Sequence, residues 1–145
     1  MMANELYAFQ AFSSFIILLI FLMIGLVLIP YVFFLLHLNK LLFKCKEQNR
    51  KMDPGLVYLN LIPLFNLGWL FYTVIKIRDT LKAEFSSNGK QSDDPEFGFS
   101  IGLAYCITSA CSIIPIIGSG AALASLILWI VYWVKTYKYL KQLEN

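Results

Sequence analysis

Three long stretches of this chain carry no charged side chain, and that absence limits its fold more than any motif does. Residues 6–39 hold no Asp, Glu, Lys or Arg and one imidazole, that of His37, and residues 54–75 and 97–134 hold none of Asp, Glu, Lys, Arg or His. A helix needs roughly 20 apolar residues to cross about 30 Å of hydrocarbon. The first block holds one crossing with length to spare for tilt. The middle block is just long enough for one, and the last divides into two short helices. Hydrophobic residues make up 59% of the 145 and charged residues 14%, against about 45–50% and about 25% in ordinary soluble domains. A soluble fold this small has too much surface for its volume to hide that much apolar area. With lipid as solvent the difficulty disappears. The sequence predicts an all-α membrane bundle, one integral domain over 1–145, with apolar helices near 11–38, 54–85, 96–114 and 121–141 and a polar loop at 86–95.

The first fourteen residues, MMANELYAFQAFSS, contain no lysine or arginine. A cleavable signal peptide wants a basic start, a shorter apolar core and a small-residue cleavage site. The stretch 12–36 is too long and too bulky, so it reads as a permanent first helix. His37, Asn39 and Lys40 mark its exit into headgroups. The following run, NKLLFKCKEQNRK, has five basic residues and one acid. MDPG at 52–55 starts a helix, with Asp53 as cap and Pro54 in the first turn, where its missing N–H costs nothing. DDPE at 93–96 repeats the device with Asp94 and Pro95. Past Lys76, the positions Ile77, Leu81 and Phe85 keep one apolar face while Lys76, Arg78, Asp79, Lys82 and Glu84 face water, the pattern of an amphipathic extension on a membrane surface.

The middle block holds Asn60, Pro63 and Asn66 inside an otherwise apolar run. Two readings stay open. A crossing helix kinked at Pro63 suits the block's length, with the asparagines bonding neighbouring helices. Four crossings then divide the twelve basic residues five against seven, which orients nothing. If 55–75 instead enters and leaves by one face, all twelve lie together with Glu5 opposite, as the positive-inside bias prefers. A re-entrant turn must satisfy its backbone within the protein. Asn60 and Asn66 supply partners and Pro63 removes one donor.

The last block breaks at SIIPIIGSG, where Pro115, Gly118 and Gly120 fall together. Gly98, Gly102, Cys106 and Ala110 are spaced by four, a small-residue stripe that lets helix backbones approach in lipid. Trp129, Tyr132, Trp133, Tyr137 and Tyr139 form an aromatic belt. Trp129 and Trp133 are interface anchors, followed into water by Lys135, Lys138 and Lys141.

The strings IPLFNLGW (62–69) and WIVYWVK (129–135) give the patterns I-P-x-x-N-x-x-W and W-I-x-Y-W-V-K. On these the chain resembles a loose group of small bacterial four-helix integral membrane proteins with no established activity. The resemblance covers roughly the C-terminal two thirds. It implies a four-helix architecture and says nothing of catalysis or substrate.

Chemistry-bearing constellations are absent from the sequence. Cys45, Cys106 and Cys111 form no C-x-x-C, and one histidine cannot build a metal set. No acid lies inside the apolar blocks, where transporters and pumps usually keep one. No histidine or lysine neighbours the serines of 109–119, so no nucleophile is activated. Cys45, in a basic juxtamembrane run, offers a place for a lipid chain or a plain thiol. The basic run itself sets topology and attracts anionic headgroups. No basic domain interleaved with aromatics exists to hold nucleic acid. The expectation is a non-enzyme of the cell membrane without cofactor or metal, the cytoplasmic membrane if bacterial. It would work through helix–helix association as an accessory subunit or scaffold, with lipid, further copies of itself or a larger membrane protein as partners. The alternative is a homo-oligomeric channel or small-solute transporter with Asn60 and Asn66 lining the path.

Overall fold

The computed structural model describes residues 2–144, with side chains described from Tyr7 onward except that of Ala8. The expected position of Glu5, across the membrane from the basic residues, falls outside the described side chains. The order of elements is α1 (Met2–Lys44), the 3-10 segments η1 (Glu47–Asn49) and η2 (Pro54–Leu61), then α2 (Phe65–Ser87), α3 (Phe99–Cys111) and α4 (Gly118–Glu144). The described residues contain no strand. The chain divides into two units, Met1–Phe34 and Leu35–Asn145.

Two helical stretches are long and apolar enough to cross a membrane, Phe9–Lys44 and Gly118–Glu144. Four apolar helices were expected, the second kinked or re-entrant, and helix length supports two of them as crossings. With 13 residues, α3 extends about 20 Å at 1.5 Å per residue, short of about 30 Å of hydrocarbon. The second expected helix, 54–85, is two separate segments.

The first unit is helix alone. From Tyr7 to Phe33 no described side chain is buried, although most are large and apolar. Pro30 lies within the helix, and its missing N–H releases one carbonyl a turn earlier.

The second unit holds the core. The helix was expected to end near Leu38, but it runs on to Lys44. Leu35, Leu38, Leu41, Leu42 and Cys45 are all buried, which is the helical spacing of one inward face. Lys40 and Lys44 occupy the exposed side of those turns. The basic run after the first helix is thus half helix, not all loop.

Asp53 caps η2 as expected, its Oδ1 accepting the Gly55 N–H at 2.7 Å, with Pro54 in the first turn. The helix then stops at Pro63. Leu64 has φ +65°, a left-handed value that costs a residue with a Cβ about 1–3 kcal/mol, and α2 starts afresh at Phe65. Asn60 of η2 reaches Thr73 of α2, Nδ2 to Oγ1 3.0 Å, and the Trp69 Nε1–H donates to the Leu56 carbonyl at 2.9 Å. So η2 lies against α2 instead of continuing its axis. Pro63 is an elbow between two separate helical segments, not a kink within one helix.

Helices α2 and α3 run antiparallel: Val74 faces Gly102 and the rings of Phe85 and Phe97 meet edge-on at 5.0 Å. The returning α4 packs on α3, with Tyr132 against Gly102 and Lys135 against Gly98. Hence α2 and α4 end at one end of the unit, while the α2 start and the α3–α4 turn lie at the other. α3 begins three residues later than expected. Asp94 does not cap it but accepts the N–H groups of Glu96 and Gly98, at 3.0 and 2.9 Å. The turn passes through Phe97 and Gly98, with φ +51° and +73°.

Candidate functional site

The polar end of the second unit gathers nearly all of its charge. Two carboxylates organise it. Glu84, on the C-terminal half of α2, is only 3% exposed. Its Oε2 accepts the Lys46 backbone N–H at 2.9 Å and Asn49 Nδ2 at 2.7 Å, and Oε1 accepts Asn88 Nδ2 at 2.9 Å. One turn back, Thr80 Oγ1 accepts the Lys51 N–H at 2.9 Å. Together these bonds clamp the 45–51 segment onto α2. Burial alone would push the Glu84 carboxyl up, but the donors from Asn49, Lys46 and Asn88 outweigh it and hold it below the usual carboxylate value. The expectation that Glu84 faces water is therefore wrong. Ile77, Leu81 and Phe85 do form an apolar face, but it is the core of this unit and not a surface laid on lipid.

Asp94 is the second organiser. Its Oδ2 accepts from Lys135 Nζ at 2.7 Å, from the Gly98 N–H at 2.9 Å and from the Tyr139 hydroxyl at 3.2 Å. The Lys135 ammonium above all, with the Gly98 and Glu96 amides, draws its carboxyl down to about 2. Asp94 thus joins the loop, the start of α3 and the end of α4. Lys138 meets Asp93 at 3.2 Å and Lys82 meets Glu96 at 3.0 Å around it. These outer pairs are exposed and contribute little each.

The end of α1 joins the same cap within this unit. His37 Nε2 lies 3.2 Å from Thr136 Oγ1, and Lys40 lies 3.0 Å from Glu144. The Thr136 hydroxyl donates to the carbonyls of Tyr132 and Trp133, at 3.1 and 2.9 Å. With its proton on either carbonyl, the Thr136 oxygen has a lone pair to accept from His37 Nε2 in the tautomer that carries the proton there. A groove of about 550 Å³ opens beside the cap between Lys82, Phe85, Ser86, Lys90 and Phe97. The Lys90 ammonium already donates to the Gln142 carbonyl at 2.7 Å.

The residues singled out from the sequence are dispersed. Asn60 is 1% exposed, its Nδ2 donating to the Val57 carbonyl as well as to Thr73. Asn66 is half-buried and its N–H donates to the Ile62 carbonyl at 2.9 Å. Pro63 and Pro115 sit at the two exposed turns of the apolar end. Gly102 and Cys106 are buried within the chain, Gly98 holds the left-handed turn before α3, and Ala110 is half-exposed. Trp129 and Trp133 pack on each other at 5.5 Å and are half-buried. Lys135 and Lys138 reach the two aspartates of the cap, Asp94 and Asp93. Of the aromatic belt, Tyr132 and Tyr139 turn inward to the core. Cys45 is buried, its Sγ–H 3.4 Å from the Leu41 carbonyl. Burial, then the Glu84 charge, pushes its thiol up to about 12.

Chemically the cap is closed. Both central carboxylates are saturated with donors and held ionised, so neither is poised to take a proton. Among the described residues no three of His, Cys, Asp and Glu gather to hold a metal ion. Sequence reasoning missed Glu84, Thr80, Thr136 and Tyr139. The one signal for the first two was their place, a turn apart, beside the apolar face of α2. No family model, curated protein or solved structure matches the chain.

Proposed function

We propose that this is a non-enzymatic integral membrane protein of the cell membrane that acts by helix–helix association, as an accessory subunit or scaffold. One observation supports it above others. Leu123, Ile127, Ile130 and Val134 stand exposed on α4 at spacings of four, three and four. That is the seam spacing of a helix built to pack along another, and nothing within the second unit covers it. The polar cap braces α4 at its C-terminal end through Asp94, and the seam is presented from that base. Asn60 spends its amide inside the fold, which favours a structural part for it over a pore lining.

The test is gentle detergent extraction followed by mass measurement of the intact species. Association predicts a defined oligomer or a stoichiometric complex with a second membrane protein, weakened when Ile127 and Ile130 are both changed to alanine. A chain that runs only as a monomer at every detergent level contradicts the proposal.

A further inference from the structure

The geometry points to the second unit entering and leaving the bilayer by a single face, with both of its proline turns ending among lipid acyl chains. This rests on the membrane reading above and adds to it how the unit meets the lipid. The unit has two unlike ends. Lys40, Lys46, Lys82, Lys90, Lys135 and Lys138 all reach partners at the capped end, and residues 52–75 and 91–134 hold no lysine or arginine. The far end has two turns, at 62–64 and 112–117, and no charge. Ile116 is 92% exposed and Leu64 81%, with Ile62, Phe65, Ile113, Ile114 and Ile117 exposed beside them. In water these would form an apolar patch larger than soluble proteins keep.

Lengths decide between lipid and the opposite aqueous face. From Phe65 to Lys76 the first charge-free run of α2 extends about 17 Å, α3 about 20 Å, and α4 from Gly118 to Lys135 about 25 Å. One leaflet of hydrocarbon is about 15 Å deep and the whole about 30 Å. The turns therefore pass the midplane and stop before the other headgroups. Backbone groups at such a depth must find partners inside the protein, and the donors at 62, 65–67 and 112–114 do so. Each has an Ile-Pro pair, so the donor at Pro63 and at Pro115 is simply missing. Ile62, Phe65, Asn66 and Leu67 donate to the carbonyls of Leu59, Pro63, Ile62 and Leu64. Ser112, Ile113 and Ile114 donate to those of Thr108, Ala110 and Cys111, and the Ser112 hydroxyl to that of Ser109. Gly118 completes the second turn, because a Cβ there would come 2.5 Å from the Ser112 carbonyl oxygen.

The experiment is side-specific thiol labelling of the full chain in sealed membrane vesicles of both orientations, with a membrane-impermeant maleimide. Cys111→Ser removes the half-exposed thiol, and Cys45 and Cys106 are buried. Single variants Gln91→Cys, Ile62→Cys and Ile116→Cys are compared, all at exposed positions. The expected result is labelling of the Gln91 variant from one face only, and of the other two from neither face until SDS is added. Labelling of the Ile116 variant from the face opposite Gln91 would show α3 and α4 crossing, and labelling from the same face would place the turn in water. Either overturns the inference while leaving the chain a membrane protein. Release of the wild-type chain by alkaline carbonate would instead overturn the membrane reading itself.

Discussion

Replacing Glu84 by alanine removes the acceptor that fastens the 45–51 segment to α2. Three donors lose their partner: the Lys46 N–H, Asn49 Nδ2 and Asn88 Nδ2. A hydrogen bond to a charged group contributes about 1.5–3 kcal/mol. Asn88 is exposed and turns to water at little cost. Asn49 is buried but keeps Ser87 Oγ at 2.8 Å, which puts its loss at the low end of the range. The Lys46 amide lies beside it. Two stranded donors at about 1.5 kcal/mol each give about 3 kcal/mol. A chain of this size loses about 2–4 °C per kcal/mol, so Tm in mild detergent should fall by about 6–12 °C. Tryptophan emission on heating measures it. Glu47→Ala, an exposed acid in the same segment, should leave Tm within about 1 °C. A fall of less than about 2 °C for Glu84→Ala, with the control unchanged, would refute the idea that this carboxylate holds the cap.

Three further outcomes follow from the same contacts. Asp94 is held at about 2 against an ordinary 3.8, so its stabilisation is present above pH 3.8 and lost as pH falls toward 2; an acid titration of Tm should steepen there, and Asp94→Asn should remove about 1–2 kcal/mol of that slope after solvent screening. Gly102→Leu should cost about 1–3 kcal/mol by overpacking, because a Cβ there would lie 2.6 Å from Val74 Cγ1 and 2.8 Å from Tyr132 Cε2, whereas Gly120→Leu, with nothing within 4 Å, should leave Tm unchanged. Cys45, buried with its thiol near 12, should resist maleimide at pH 7 in the folded protein and react fully once SDS unfolds it, as mass measurement would show.

What the sequence discloses here is mainly its apolar runs and its breaks. Charge-free runs, Pro63, the Pro115–Gly118 turn and the apolar face Ile77–Leu81–Phe85 are local patterns, and each appears in the structure where the residues put it. The failures are all long-range. Glu84 is a water-facing acid by pattern, yet a segment 35 and 38 residues away brings Asn49 and Lys46 to its carboxylate. Tyr132 and Tyr139 resemble interface aromatics until Gly102 and Asp94 are known to lie against them. The first helix continues past Lys40 because Leu41 and Leu42 find a core, a fact that headgroup-like polarity at 37–40 conceals. The break within 54–85 has the same cause: the elbow at Leu64 returns η2 onto α2 through Asn60–Thr73 and Trp69–Leu56 contacts.

The depth of Ile116 tests most directly whether lipid is the solvent of the apolar end. A nitroxide on Ile116→Cys, read by power-saturation EPR in bilayers, should be relaxed far more by dissolved oxygen than by a water-soluble nickel chelate, with a depth near the bilayer centre. A nickel-dominated response, as at an aqueous surface, would contradict it.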